Sequence, residues 1–159
     1  MNGTNERSGT DALRMHQRIA ATLEAIPYAR HLGIRLIDPH ESDEVAYHMP
    51  FDARWIGNPI LPALHGGVVA TFMQVVALSE TYALLRDELL PKLVDFSIDY
   101  LSTAEPRDLF ARCEIHRVGK RVAAVGIRCW QRTPNAPVAL GRAHVFVAPS
   151  ASDALCPPP

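Results

Sequence analysis

The chain has 159 residues, 48% of them hydrophobic, and a formal net charge of -1, which is enough apolar content for one real core and no basic stripe for nucleic acid. No apolar run of roughly 18 residues lacks polar interruption, so no membrane span is expected, and the polar start Met1–Thr10 lacks an apolar signal region. Cys113, Cys129 and Cys156 are scattered, with no CxxC spacing and no histidine cluster, which favours reduced cytoplasmic thiols over a metal site.

Residues 1–10 are rich in Asn, Gly, Ser and Thr, and residues 150–159 end in three prolines. Both read as disordered ends around a single domain over 11–149. From Asp11 to about Ile26 apolar residues recur at near-helical spacing, with Asp11 as N-cap. A short helical turn at 27–32 follows, closed by Gly33. Strands are expected at Ile34–Asp38 and Glu44–Met49, around a turn at Pro39–Asp43. Phe51–Leu64, with Gly57, Asn58, Pro59 and Pro62, reads as an irregular loop.

The next element is a helix from Gly66 to about Asp87. Val68, Val69, Phe72, Met73, Val75, Val76, Leu78, Tyr82 and Leu84 leave it little polar face, so it belongs inside the domain, and Pro91 marks its end. The period then changes to two. Val94, Phe96, Ile98 and Tyr100 alternate with Asp95, Ser97 and Asp99; Leu109, Ala111, Cys113 and Ile115 alternate with Arg112, Glu114 and His116. Val118-Gly119-Lys120 turns into Val122–Trp130, and Thr133–Pro137 turns into Val138–Val147. Four consecutive strands in an antiparallel meander are expected. The order implies an α+β fold: an antiparallel sheet wrapped around one long buried helix, with an extra N-terminal helix.

The stretch Leu64-His65-Gly66-Gly67 opens the buried helix. The first N–H groups of a helix lack internal partners, the helix dipole favours negative charge there, and glycine leaves them approachable. Such a start holds an anion or polarises a carbonyl. The plain alternative is a tight loop entering a core helix.

Several marks occur together in order: Asn58 before His65-Gly66-Gly67, the strand from Asp95 to Leu101, the turn Gly119-Lys120-Arg121, and Gly141-Arg142-Ala143 late in the last strand. With these marks the chain, from about Ile26 to Val147, resembles the hotdog-fold acyl-CoA thioesterases of the phenylacetate-pathway type. The resemblance implies a site built across a homodimer or tetramer that binds an acyl-CoA thioester. Coenzyme A is then part of the substrate, and neither cofactor nor metal is implied. The N–H of Gly67 would polarise the thioester carbonyl, with Gly66 beside it, and Asn58 would hold the carbonyl or the water. The family's general base or nucleophile is a carboxylate seven residues after the second glycine, close to two helical turns on. In this chain that position is Gln74.

A carboxamide orients water or substrate but accepts no proton at neutral pH. Glu80 is the nearest acid on the helix, but six residues place it roughly 240° around from Gln74. His65 is then either a base or a loop-fixing residue. Gln74 either faces the substrate or is a buried amide satisfied by backbone carbonyls. Asn58 either serves the site or sets the turn before Pro59. Trp55, Ile56, Phe72, Met73 and Val76 are candidate acyl-tunnel walls. Gly119, Lys120 and Arg121 either contact coenzyme A phosphates or form a solvated hairpin. The leading expectation is slow or specialised thioester hydrolysis in the cytoplasm. The alternative is a non-catalytic acyl-CoA-binding protein. A dehydratase is weaker, for want of an acid paired with His65.

Overall fold

A computed structural model describes residues 4–37, 45–85 and 91–147. The expected turn Pro39–Asp43, the outer ends of its two flanking strands at Asp38 and Glu44, the helix tail to Asp87 and the stretch 150–159 lie outside the described residues.

The first helix, α1, spans Thr4–Ala25 and begins ahead of Asp11. Asp11 is thus interior to the helix rather than its cap. Ile19 and Leu23 on this helix are buried. The short α2, Pro27–Leu32, starts with proline in its first turn and ends at Gly33, whose φ of 68° is the left-handed conformation glycine adopts freely. Strands β1, Arg35–Leu36, and β2, Tyr47–Met49, are shorter than the sequence pattern suggests. The expected loop Phe51–Leu64 is more ordered than its prolines imply. It holds a 3-10 turn at Ala53–Trp55 and a small hairpin of β3, Ile56–Asn58, with β4, Ala63–Leu64.

The apolar run forms α3, Gly66–Leu85. By length and composition this helix could cross a membrane. Here it lies against the sheet, with Val69, Phe72, Met73, Val76 and Ala77 at 1% exposure or less. Full burial of side chains the size of Val, Phe and Met contributes about 1.5–3 kcal/mol each, which makes α3 the centre of the core. Four long strands follow: β5, Lys92–Tyr100; β6, Leu109–Val118; β7, Val122–Trp130; and β8, Pro137–Phe146.

These strands do not form a four-strand meander. The sheet runs β1-β2-β6-β7-β8-β5, antiparallel throughout. Of the four long strands only β6, β7 and β8 are paired in sequence order; β5 pairs with β8 at the far edge. The reason lies in the link, residues 101–108, which is longer than a hairpin loop and reaches past two strands to start β6. The result is the hotdog fold, a curled sheet around one helix with α1 packed against that helix's outer side.

Gly141 in β8 lets the helix dock closely. A Cβ there would lie 2.9 Å from the Met73 methyl and 3.1 Å from the Phe96 ring. Among the described residues, Cys113 and Cys129 are free thiols on neighbouring strands, and burial pushes both well above the usual thiol range.

Candidate active site

The β3–β4 hairpin delivers the chain to the start of α3. The His65 N–H donates to the Trp55 carbonyl at 2.8 Å. Gly57 passes so close beneath His65 that an added Cβ would lie 2.7 Å from the His65 Cα, so only glycine fits. His65 then caps the helix. Its Nδ1 accepts the Gly67 N–H at 2.9 Å, and its carbonyl accepts from Val68 and Val69 at 2.9 and 3.2 Å. Three of the helix's first donors are thereby satisfied. Among the described residues the Gly66 N–H has no partner.

These bonds bear on the donor that the sequence is expected to offer a carbonyl. The Gly67 N–H, singled out from the sequence, is engaged by an imidazole two residues earlier. The open donor is Gly66. Both glycines look alike in the sequence; the side-chain cap distinguishes them. The cap also fixes the His65 tautomer. With Nδ1 accepting, the neutral ring carries its proton on Nε2 and keeps no free lone pair. His65 here holds the loop, and it would have to give up the cap to act as a base.

The Gly66 carbonyl points at Tyr100, the last residue of β5, whose hydroxyl donates to it at 2.7 Å. Burial raises the Tyr100 phenol above its ordinary value, so it stays a donor. The sequence reading placed Tyr100 on the face of β5 shared with Phe96 and Ile98 but gave it no role. The alternation was the only available signal.

Asn58 is exposed, and its Oδ1 accepts the N–H groups of Ile60 and Leu61 at 3.0 and 3.2 Å. That oxygen sets the turn. Gln74, two turns along α3, is half-buried, and its carboxamide has no hydrogen-bond partner among the described residues. Among the described residues it is therefore not an amide satisfied by backbone carbonyls.

Glu80 lies elsewhere, as its helical angle requires. It is buried, and its Oε2 accepts the Tyr47 hydroxyl at 2.6 Å. Desolvation holds the Glu80 carboxyl above its ordinary value against the opposing hydrogen bond, and burial likewise raises Tyr47. Sequence reading missed this pair because Tyr47 and Glu80 are 33 residues apart.

The candidate tunnel walls are core residues in the protomer. Phe72, Met73 and Val76 are fully buried. Trp55 is buried too, edge-on to His31 and covered by the Arg54 guanidinium. The Gly119 N–H closes its hairpin on the Val122 carbonyl at 2.9 Å, and Lys120 and Arg121 are exposed at its tip. That tip is far from the helix start. The register links Tyr100 to Ala139 and Ala139 to Cys129, seven residues along β7 from Val122. At about 3.3 Å per residue the separation is roughly 23 Å. One protomer does not bring these cations and Gly66 together. A cavity of about 920 Å³ is lined by Arg112, Arg128 and Arg142 among others, but not by His65, Gly66, Gly67 or Gln74. Among the described residues no cluster of His, Cys, Asp and Glu could hold a metal ion.

A family model described as the thioesterase superfamily matches residues 61–138, from the hairpin loop into β8. A solved structure from Chromobacterium violaceum is 36% identical, covers 86% of this chain and 94% of its own, and superposes with a TM-score of 0.66. The Escherichia coli PaaI protein from the phenylacetic acid degradation operon is 21% identical, with coverage of 84% and 92% and a TM-score of 0.70. Mouse thioesterase superfamily member 2 is 21% identical, with coverage of 83% and 96% and a TM-score of 0.66. These last two show likeness of fold. No curated protein matches the sequence.

Proposed function

The chain belongs to the thioesterase superfamily, and on that premise we propose that it hydrolyses an acyl or aryl thioester of coenzyme A, slowly. The observation that carries this reading is the open Gly66 N–H at the N-terminus of a buried helix. A thioester carbonyl placed there gains a donor aimed at the oxygen that becomes negative in the tetrahedral intermediate. Water adds to the carbonyl carbon, the C–S bond breaks, and the thiol leaves with a proton. Gln74, unpartnered on the same helix, orients the water. It cannot take the proton, and His65 has its lone pair in the cap. The protomer therefore supplies polarisation and positioning but no strong base from these residues, and slow turnover follows.

Among the described residues β5 is the last strand of the sheet, and Val94, Tyr100 and Leu101 are exposed along and just past it. Such an edge is a template for pairing with a second copy. We take the working unit to be a homodimer or tetramer. Lys120 and Arg121 contact coenzyme A phosphates only where a partner copy carries them to the site. A reducing, cytoplasmic compartment belongs to the same reading.

Gln74 also favours a second reading, a non-catalytic acyl-CoA-binding protein. A hydrolysis screen over short, medium, long and aromatic acyl-CoA substrates, run beside a binding assay, separates the two. Turnover supports the hydrolase; tight binding without turnover supports the binder; neither overturns both.

A further inference from the structure

We propose that Tyr100 is a positioning residue for the carbonyl-polarising N–H, acting as one jaw of a clamp on the Gly66–Gly67 peptide whose other jaw is His65. The inference rests on the proposed role of Gly66 in thioester hydrolysis. Both polar groups of that peptide are held by side chains from outside the helix's own ladder. The Gly66 carbonyl accepts the Tyr100 hydroxyl at 2.7 Å, and the Gly67 N–H donates to His65 Nδ1 at 2.9 Å. The preceding peptide is held through the His65 carbonyl, which accepts from Val68 and Val69. Gly66 thus sits between two anchored peptide planes. Among the described residues its own N–H is left open.

The clamp has a physical purpose. Gly66 has no Cβ to restrict its backbone, so its φ and ψ need an external restraint. A donor stabilises an oxyanion only while it is already aimed at it, and a free glycine peptide would spend part of that advantage on reorientation. The tyrosine also explains the residue type. A Cβ on Gly66 would lie 3.1 Å from the Tyr100 oxygen and 3.3 Å from its Cζ. The tyrosine comes from β5 and the histidine from the loop before α3, so sheet and loop together hold the peptide plane that follows the Gly66 N–H and limit rotation about the Gly66 Cα.

Tyr100→Phe removes the hydroxyl from a side chain that is 53% exposed, so the fold is expected to survive. We expect kcat on the best acyl-CoA of the screen to fall about five- to tenfold, the scale of one neutral hydrogen bond. KM should stay within about twofold and thermal unfolding within a few degrees. His65→Ala should lower kcat as well, and the double variant should fall short of the product of the two, because both hold one peptide. Amide hydrogen exchange at Gly67 should speed up in Tyr100→Phe, a readout that needs no turnover. Unchanged kcat and unchanged Gly67 exchange overturn the clamp; so does a loss of kcat matched by loss of folding. If the wild type hydrolyses nothing in the screen, the hydrolase reading fails, and the clamp is then judged by the exchange rates alone.

Discussion

The start of α3 depends on three neighbouring residues, each with a distinct duty: His65 caps, Gly66 exposes a donor, and Gly67 satisfies the cap. Gly66→Val would press on Tyr100 and shield the N–H. We expect turnover to fall about 10²–10³-fold, the usual cost of losing an oxyanion donor, in a protein that circular dichroism shows folded. Wild-type turnover in that variant would reduce the two glycines to a helix entrance.

A second residue-scale prediction concerns Glu80. Its folded carboxyl is raised by burial, so the folded state favours the protonated form. That contribution to stability is fully present below the ordinary value of 4.5 and is lost as pH rises through the higher folded value. Glu80→Gln keeps an acceptor for the Tyr47 hydroxyl and removes the charge. Its melting temperature should exceed that of the wild type at neutral pH, with the gap closing below about pH 4.5. A gap independent of pH would contradict the assignment. Asp108 works in the opposite sense. The hydrogen bond from His48 lowers its carboxyl, so its stabilisation is present above the ordinary value of 3.8 and lost as pH falls through the lower folded one.

At the scale of elements, Gly141 is where α3 meets the sheet. Gly141→Val would drive side-chain atoms into Met73 and Phe96, and overpacking of that kind typically costs about 1–3 kcal/mol. Urea unfolding should show a lower midpoint, whereas an unchanged midpoint would mean that α3 shifts without cost. The elements themselves were largely legible. Apolar saturation marked α3 as buried, and period two marked β5 to β8. Strand order was not legible, because alternation says which face a residue takes but not which neighbour a strand chooses. The Phe51–Leu64 hairpin was hidden behind Pro59 and Pro62, which lie at its tip rather than in its strands. The sequence marks His65-Gly66-Gly67 at the start of α3 and Gln74 two turns on, but not the bonding around them. Which glycine donates, and that Tyr100 lies over it, depend on contacts across 2 and 34 residues that no periodicity encodes.

For the whole molecule, β5 is the last strand of the sheet among the described residues, and the proposed pairing between copies is tested in solution. Light scattering should give a dimer or a dimer of dimers at micromolar concentration. A stable monomer would remove the shared site and any part for Lys120 and Arg121 in it. The most direct measurement of the central claim is the rate of acyl-CoA hydrolysis against pH for wild type, Gln74→Asp and Gln74→Glu. A site that polarises the carbonyl but lacks a proton acceptor predicts slow wild-type turnover. At least one acid variant should be about tenfold faster or more, a low bar against the 10²–10⁴-fold typical of general-base catalysis, and its gain should disappear as pH falls and the new carboxylate protonates. A fast wild type with both acid variants slower would contradict the account.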